Sequence, residues 1–447
     1  MRAKPQQHTH QLDLTQGDLE FLIDLNHELC LLAERINWSK FEKEFADYFP
    51  STVGNPALPA RLVVGVLYLK HAFGLSDEGV VAMWVENPYW QYFCGMQYFQ
   101  HKLPFHPTSL IKWRKRLGEA GCEKLLKELI EVGLKEEVIE EKDLKKVIVD
   151  TTVQEKAIAY PTDAKLHHRA RLLLLKQTKK HGLELRQSYL RLGKQALFRG
   201  TRYAAAKQMK RARKQFKLVK RYLGCVYRDV KRQLENHPDM SDHFSDLLCN
   251  TERLLNQKRE DKNKLYSLHA PEVECIVKGK VHKKYEFGVK TSLAITHKKN
   301  FVVGIQALPD NPYDGHTLKD ALDQVEFFTG VRPEDCYVDL GYRGNNEEKC
   351  TVHMTRSKAA LRTYALRRDM RRRSAIEPII GHMKSDGLLG RNYLKGSLGD
   401  KINALLCGAG HNLRAILRKL RLFWLKIFGE LYKFFADNLL HFNLAIE

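Results

Sequence analysis

From Lys165 to Arg232 the chain holds 22 Lys and Arg against two acids, Glu184 and Asp229, a local charge of +20. The whole chain of 447 residues carries +22, so nearly all of its excess sits in this one stretch. Segments this charged build no buried sheet, but they can fold as helices with one apolar stripe. Such a stripe is present: Phe216, Val219, Leu223, Val226 and Val230 recur at steps of three and four, the seam of a helix packed on another helix. Phe244, Leu247, Leu248, Thr251, Leu254 and Leu255 form a second stripe, and Asn236-His237-Pro238-Asp239 between them signals a break. The pattern predicts a largely helical insertion over 165–262, containing an antiparallel hairpin. Its basic face, which includes Arg211 and Lys214, suits phosphates. A merely solvated basic helix is the plainer reading, but the density of charge favours contact with DNA or RNA.

Composition elsewhere narrows the class. Hydrophobic residues at 43% and aromatics at 10% exclude global disorder. No run approaches the ~18 apolar residues of a membrane span, so a soluble chain with no membrane partner is expected. Met1 to Leu14 shows no apolar signal core. The nine cysteines are odd in number and scattered, and none form CxxC. This pattern points to a reducing, cytoplasmic setting with small buried thiols and speaks against structural zinc.

Residues 1–140 read as helical. Leu19, Leu22, Ile23, Leu25, Leu29, Leu32 and Ile36 follow helix spacing, and Ala60 to Phe73 forms an apolar helix ended by Gly74. Ser76 caps the next helix, which stops at Asn87-Pro88. The aromatics Trp84, Tyr89, Trp90, Tyr92, Phe93, Tyr98 and Phe99 fit core packing better than base stacking. Thr108 opens a helix with Lys112, Trp113, Arg114, Lys115 and Arg116, in the manner of a DNA-recognition helix. Lys112 and Arg114 are its candidate DNA contacts.

The segments after residue 140 carry chemistry. Lys146 to Val153 is a β-branched run holding Asp150, and a carboxylate on a buried strand must be paired, hydrogen-bonded or bound to a cation. Strands are predicted at Tyr285–Thr296 and Phe301–Leu308, joined by a turn at 297–300. A helix follows at Gly315–Phe328, closed at Gly330. Cys336 to Gly341 is a further short strand ending on Asp339, and Ile376 to Lys384 reads as a helix holding Glu377. Acids on the first strand, the fourth strand and the last helix suit phosphodiester chemistry. Two Mg²⁺ ions ~4 Å apart can activate the attacking oxygen and stabilise the leaving one, and Mg²⁺ prefers carboxylate oxygens.

These residues resemble the DDE transposases of bacterial insertion sequences, in particular the insertion-sequence-five family. The resemblance runs through Pro88-Tyr89-Trp90-Gln91-Tyr92-Phe93-Cys94-Gly95, Thr108 to Leu117 and Asp150-Thr151-Thr152-Val153. It continues in Asn311-Pro312-Tyr313-Asp314-Gly315-His316-Thr317-Leu318, Val338 to Gly344, Arg371 to Lys384 and Gly390 to Gly396. It implies an α/β fold: a ribonuclease H-like mixed sheet core with a helical insertion after the first strand, preceded by an all-helical N-terminal region. Asp150, Asp339 and Glu377 would be the catalytic, metal-binding acids for two Mg²⁺, with Mn²⁺ as a substitute.

Relatives carry a C-terminal signature of Tyr, two residues, Arg, three residues, Glu, six residues, Lys. Arg373, Glu377 and Lys384 fit it, while Met370 stands where the Tyr would be. Arg373 and Lys384 would position phosphates, and Tyr342 and Arg343 are further candidates for DNA contact. His316 and His382 read as surface or structural histidines. Pro378 disfavours helical geometry at the residue before it, so the helix either begins near Glu377 or kinks there.

The expected organisation is 1–140 for end binding and dimerisation, 141–164 and 263–396 for the two parts of the core, 165–262 for the insertion and 397–447 for C-terminal helices. The expected function is transposition: hydrolysis at the element ends, then transfer of the 3′-hydroxyl into target DNA. Partners would be double-stranded terminal inverted repeats, target DNA and a second copy of the chain once ends are paired, in the bacterial cytoplasm at the nucleoid. A DNA-binding protein with an inactive core, or a metal nuclease without strand transfer, is the alternative.

Overall fold

The computed structural model describes residues 18–48, 58–102, 104–258, 260–277, 283–355 and 363–444, the side chains of Asp47 and of 423–444 excepted. Met1 to Leu14 therefore lies outside the described residues. The chain divides into two compact units: 1–154 with 290–394 and 398–447, and 155–289 with 395–397.

The first unit opens with helices α1 (Leu19–Leu22), α2 (Glu28–Arg35), α3 (Trp38–Phe45), α4 (Ala60–Ala72), α5 (Asp77–Glu86), α6 (Pro88–Phe93), α7 (Thr108–Lys135) and α8 (Glu141–Leu144). The stripe from Leu19 to Ile36 is not one helix. Its register breaks over 23–27, where Asn26 N–H bonds the side chain of Asp24 and His27 caps α2, leaving Leu22 and Leu25 exposed. Ser76 does cap α5, accepting from Gly79 N at 2.9 Å. Trp84, Trp90 and Phe93 are buried, as core packing requires. Gly118, at φ +60°, kinks α7 just beyond its basic turn.

The sheet of this unit has the order β4-β3-β1-β5-β6. Within the first unit, β1 (Lys146–Glu155, as far as Gln154) pairs parallel with β5 (Asp335–Val338), which pairs parallel with β6 (Thr351–Met354). The later part of β3 (Tyr285–Thr296) pairs antiparallel with β4 (Val302–Leu308). Val147, Ile148, Val149 and Val153 are all buried, as an interior strand covered on both faces demands. The edge strand β6 is four residues long and only half-buried, too short and too polar to announce itself in the sequence. Helices α13 (Asp314–Thr329), α14 (Tyr364–Arg372), α15 (Ile376–Ser385) and α16 (Gly396–Leu444) complete this unit, residues 396–397 of α16 belonging to the other.

Helix α16 is core up to Leu420. Its Asn412 amide donates to Val302 O and accepts from Val302 N, at 2.8 and 2.9 Å, satisfying backbone groups of β4 that lack a strand partner. Asn403 and the Asp400 carbonyl bind Gln154 at the end of β1. Of the run Arg421–Phe428, the side chains of Phe423 onward lie outside the described residues.

The second unit contains α9 (Asp163–Lys180), α10 (Leu190–Ala205), α11 (Met209–Glu235) and α12 (Ser241–Asn256), and β2 (Glu274–Val277) paired antiparallel with the start of β3. Val219, Leu223, Val226 and Val230 of α11 and Phe244, Thr251 and Leu254 of α12 are buried. The seam from α11 faces α9 and α10 as well as α12, so these four helices pack as one cluster. Every Lys and Arg from Lys207 to Arg232 is exposed. The fold as a whole is the mixed α/β, ribonuclease H-like class that the sequence led us to expect. No helix among the described residues is long and apolar enough to cross a membrane. All nine cysteines are free thiols, six of them buried.

Candidate active site

The register of β1 on β5 explains how two aspartates 189 positions apart can meet. Lys146 pairs with Asp335, Val147 with Cys336 and Ile148 with Tyr337. The same offset, carried two residues further, sets Asp150 level with Asp339 on strands about 4.8 Å apart. Asp339 follows the last residue of β5 and caps the 3₁₀ turn Leu340–Tyr342, its Oδ1 accepting from Gly341 N at 2.8 Å. Asp150 Oδ1 accepts from Thr151 N at 2.8 Å.

The third acid arrives by way of α14. Asp369 on that helix pairs with Lys146 at 3.0 Å and accepts from the Tyr337 hydroxyl at 3.2 Å. Burial alone would raise the pKa of Asp369, but the bond and charge of Lys146, with His297 and the Tyr337 hydroxyl, together outweigh it and hold the carboxyl below its ordinary value. His297 Nε2 lies 2.9 Å from the Asp369 carbonyl, which can only accept, so that nitrogen carries the proton. Arg372 Nε donates to His297 O at 2.6 Å. These bonds fix α14 to the start of β1, to Tyr337 on β5 and to the turn after β3. A 3₁₀ turn, Arg373–Ala375, then leads into α15, whose second residue is Glu377 and whose third is Pro378. Of the two geometries open to Pro378, the chain adopts the first: the helix starts beside it, where a missing N–H costs no hydrogen bond.

Arg373 joins the set. Its Nη2 lies 2.9 Å from Asp150 Oδ2 and 3.6 Å from Asp339 Oδ2, and its Nη1 lies 3.2 Å from Glu377 Oε1. One guanidinium thus spans the three acids singled out in the sequence. Glu377 is largely exposed, Asp339 partly, and Asp150 and Arg373 are mostly buried, so the site opens on the side of Glu377. Arg373 stands between the three carboxylates, and as they are placed here no group of three His, Cys, Asp or Glu among the described residues forms a ready metal cluster. Lys384, seven residues after Glu377, is half-buried on the same helix.

Other candidates fare differently. Arg343 is exposed on the turn after Asp339, whereas Tyr342 is fully buried and presents nothing to a DNA strand. Lys112, Lys115 and Arg116 are exposed on α7, but Arg114 is buried and bidentate on Asp77, at 2.8 and 2.5 Å. Its place between Leu110, Trp113 and Leu117 on the apolar side of α7 is the reason. Arg211 and Lys214 are exposed on α11, Arg211 bonding Gln208 at 3.1 Å and lying over the Tyr203 ring. His316 and His382 are exposed, His382 pairing with Asp386. Sequence reasoning passed over Lys290, Thr151 and Asp314, which adjoin Asp150 and Asp339. Lys290 Nζ lies 3.1 Å from Asp314 Oδ1, and the Thr151 hydroxyl donates to the same oxygen at 3.1 Å. The signal available was the Asn311–Leu318 motif itself, quoted for resemblance but given no role.

Comparison with known proteins finds two transposase family models along the chain. Residues 17–116 match the family described as Transposase domain (DUF772), and residues 274–413 match the family described as Transposase DDE domain. The second match holds Asp339, Arg373 and Glu377 and begins after Asp150. The chain is also similar to a protein of Rhizobium meliloti named "Uncharacterized protein ORF8 in nfe locus", with 48% identity over 196 residues, which is 44% of this chain and 94% of that one. No solved structure matches. The chain belongs to the DDE transposases.

Proposed function

We propose that this transposase, of the insertion-sequence-five type, cuts DNA at the ends of its element and joins the freed 3′-hydroxyl to target DNA, using Asp150, Asp339 and Glu377. The observation that carries the reading is the meeting of all three on Arg373. The set fits divalent cations of the hard kind: every donor is a carboxylate oxygen, and three negative charges face one guanidinium. Two bound Mg²⁺ ions, or Mn²⁺ in their place, would activate the attacking oxygen and stabilise the leaving one.

The chain's own groups prepare that chemistry. Asp150 is held by the Thr151 amide and Asp339 by the Gly341 amide, so both carboxylates keep their direction without a ligand. Arg373 offers a planar fork that suits phosphate as well as carboxylate, and we assign it, with Lys384, to the scissile strand. Exposed Arg343, Lys112, Arg211 and Lys214 would hold flanking DNA. Paired ends call for two copies of the chain.

The test is Asp339→Ala in the full chain, given inverted-repeat DNA with Mg²⁺ or Mn²⁺. End binding in a gel shift should stay within about twofold of wild type, while nicking and joined products fall by about 1,000-fold or more, the several kcal/mol that cation-assisted chemistry contributes. Retained nicking removes Asp339 from the site. Nicks without joined products indicate a nuclease, and wild-type protein that binds but never nicks is a DNA-binding protein with an inert core.

A further inference from the structure

The motif Asn311–Leu318 is bound to the motif Val338–Gly344, and the contact brings a fourth carboxylate beside the three already described. Asp310 and Asn311 adopt left-handed backbone, at φ +66° and +43°, and turn the chain so that Asp314 becomes the first residue of α13. The Tyr313 hydroxyl donates to Arg343 O at 3.0 Å, which fixes this turn to the one that follows Asp339.

Asp314 is held from one side only. Its Oδ1 accepts from Lys290 Nζ and Thr151 Oγ1, and Lys290 is itself fixed by the Pro312 carbonyl at 2.7 Å. Its Oδ2 has no hydrogen-bond partner among the described residues and lies beside Gly341. A Cβ built on Gly341 would lie 2.9 Å from Asp339 Oδ1 and 3.2 Å from Asp314 Oδ2, so both oxygens border the space that this glycine leaves empty.

A second, independent sign comes from Tyr342. Its hydroxyl is fully buried and makes no hydrogen bond. Burial first, then the charges of Asp150, Asp314, Cys336 and Asp339, push its acidity far below that of an ordinary phenol. A buried O–H left unsatisfied among carboxylates is costly, and it marks a place where the protein's own groups do not complete the polar environment.

We propose that Asp314 is a fourth carboxylate of the cation site, aimed by Lys290 and Thr151, which shares with Asp339 the binding of a divalent cation. The inference rests on the reading of Asp150, Asp339 and Glu377 as cation ligands and adds a residue to it. The plainer role, an acid in the first turn of α13 paired with Lys290, accounts for Oδ1 but leaves the direction of Oδ2 unexplained.

The experiment is calorimetric titration of the full chain with Mn²⁺ in the absence of DNA. Asp314→Asn keeps the Oδ1 acceptor for Thr151 and Lys290, and should bind Mn²⁺ about 10-fold more weakly than wild type, the scale on which groups bordering a metal act. Asp150→Asn and Asp339→Asn should lose at least as much, and Asp320→Asn, an exposed acid of the same helix, should lose nothing. Melting temperature and near-ultraviolet circular dichroism report the fold. Asp314→Ser, which is also suited to a helix start, must show the same weakening should the Asn variant not fold. Wild-type Mn²⁺ affinity in either folded Asp314 variant, with loss at Asp150 and Asp339, overturns this inference alone. Unchanged affinity in all of them overturns the underlying reading as well.

Discussion

Arg114 shows how a single side chain can carry the right charge for one role and serve another. On α7 it sits among basic residues that read as a DNA-facing row, yet its guanidinium is buried against Asp77, which Lys70 also contacts at 2.9 Å. Burial alone would raise the Asp77 pKa, but the bonds and charges of Arg114 and Lys70 overcome it and hold the carboxyl at about 2. A carboxyl depressed from 3.8 to about 2 adds stability that is complete above pH 3.8 and lost as pH falls through about 2. Arg114→Met should therefore lower stability to urea by about 2 kcal/mol at pH 7, less than the usual cost of breaking a buried ion pair, because Lys70 still pairs with Asp77. The penalty should shrink as the pH approaches 2, and DNA affinity per folded molecule should not change. A loss of DNA affinity without loss of stability would return Arg114 to the interface.

At the scale of elements, the site depends on short turns more than on long helices. Asp339 keeps its place because the 3₁₀ turn after β5 lets Gly341 N–H reach back to it, and the same glycine leaves room for Asp314. Gly341→Ala would put a methyl group under 3 Å from Asp339 Oδ1, and one carboxylate must move. We expect strand cleavage to fall about 100-fold, as a displacement of ~1 Å at a reacting centre does, with little change in melting temperature. Cleavage within twofold of wild type would show that the carboxylates tolerate the shift. The strands around Asp150 and Asp339 and the helix around Glu377 were legible in the sequence, since a β-branched run and a 3.6-residue period are local signals. The four-residue strands β2 and β6 were not, and neither was the break between α1 and α2. There, Asx and histidine caps override an apolar spacing that continues across the gap.

At the scale of the whole molecule, charge and chemistry fall in different units. The carboxylate site belongs to the first unit, and the helices with the exposed Lys and Arg of 207–232 belong to the second. If those side chains bind phosphates, Arg211→Ala with Lys214→Ala should reduce the slope of log affinity against log salt by about 2, one counterion for each lost contact. The measurement is filter binding of end DNA across a salt series, and an unchanged slope would place the phosphate contacts elsewhere.

The sequence by itself determined the local order: which segments alternate like strands or repeat like helices, where charge gathers, and that lone acids on strands need a partner or a cation. These are properties of near neighbours along the chain, set by backbone period and side-chain solvation. Only the tertiary structure decided that Asp150 stands level with Asp339, that Arg373 spans both and Glu377, that Asp314 and Asp339 both border Gly341, and that Arg114 and Tyr342 are buried. Strand register and helix docking set those relations, and they arise from hydrogen bonds and packing between residues up to 223 positions apart, as Asp150 and Arg373 are.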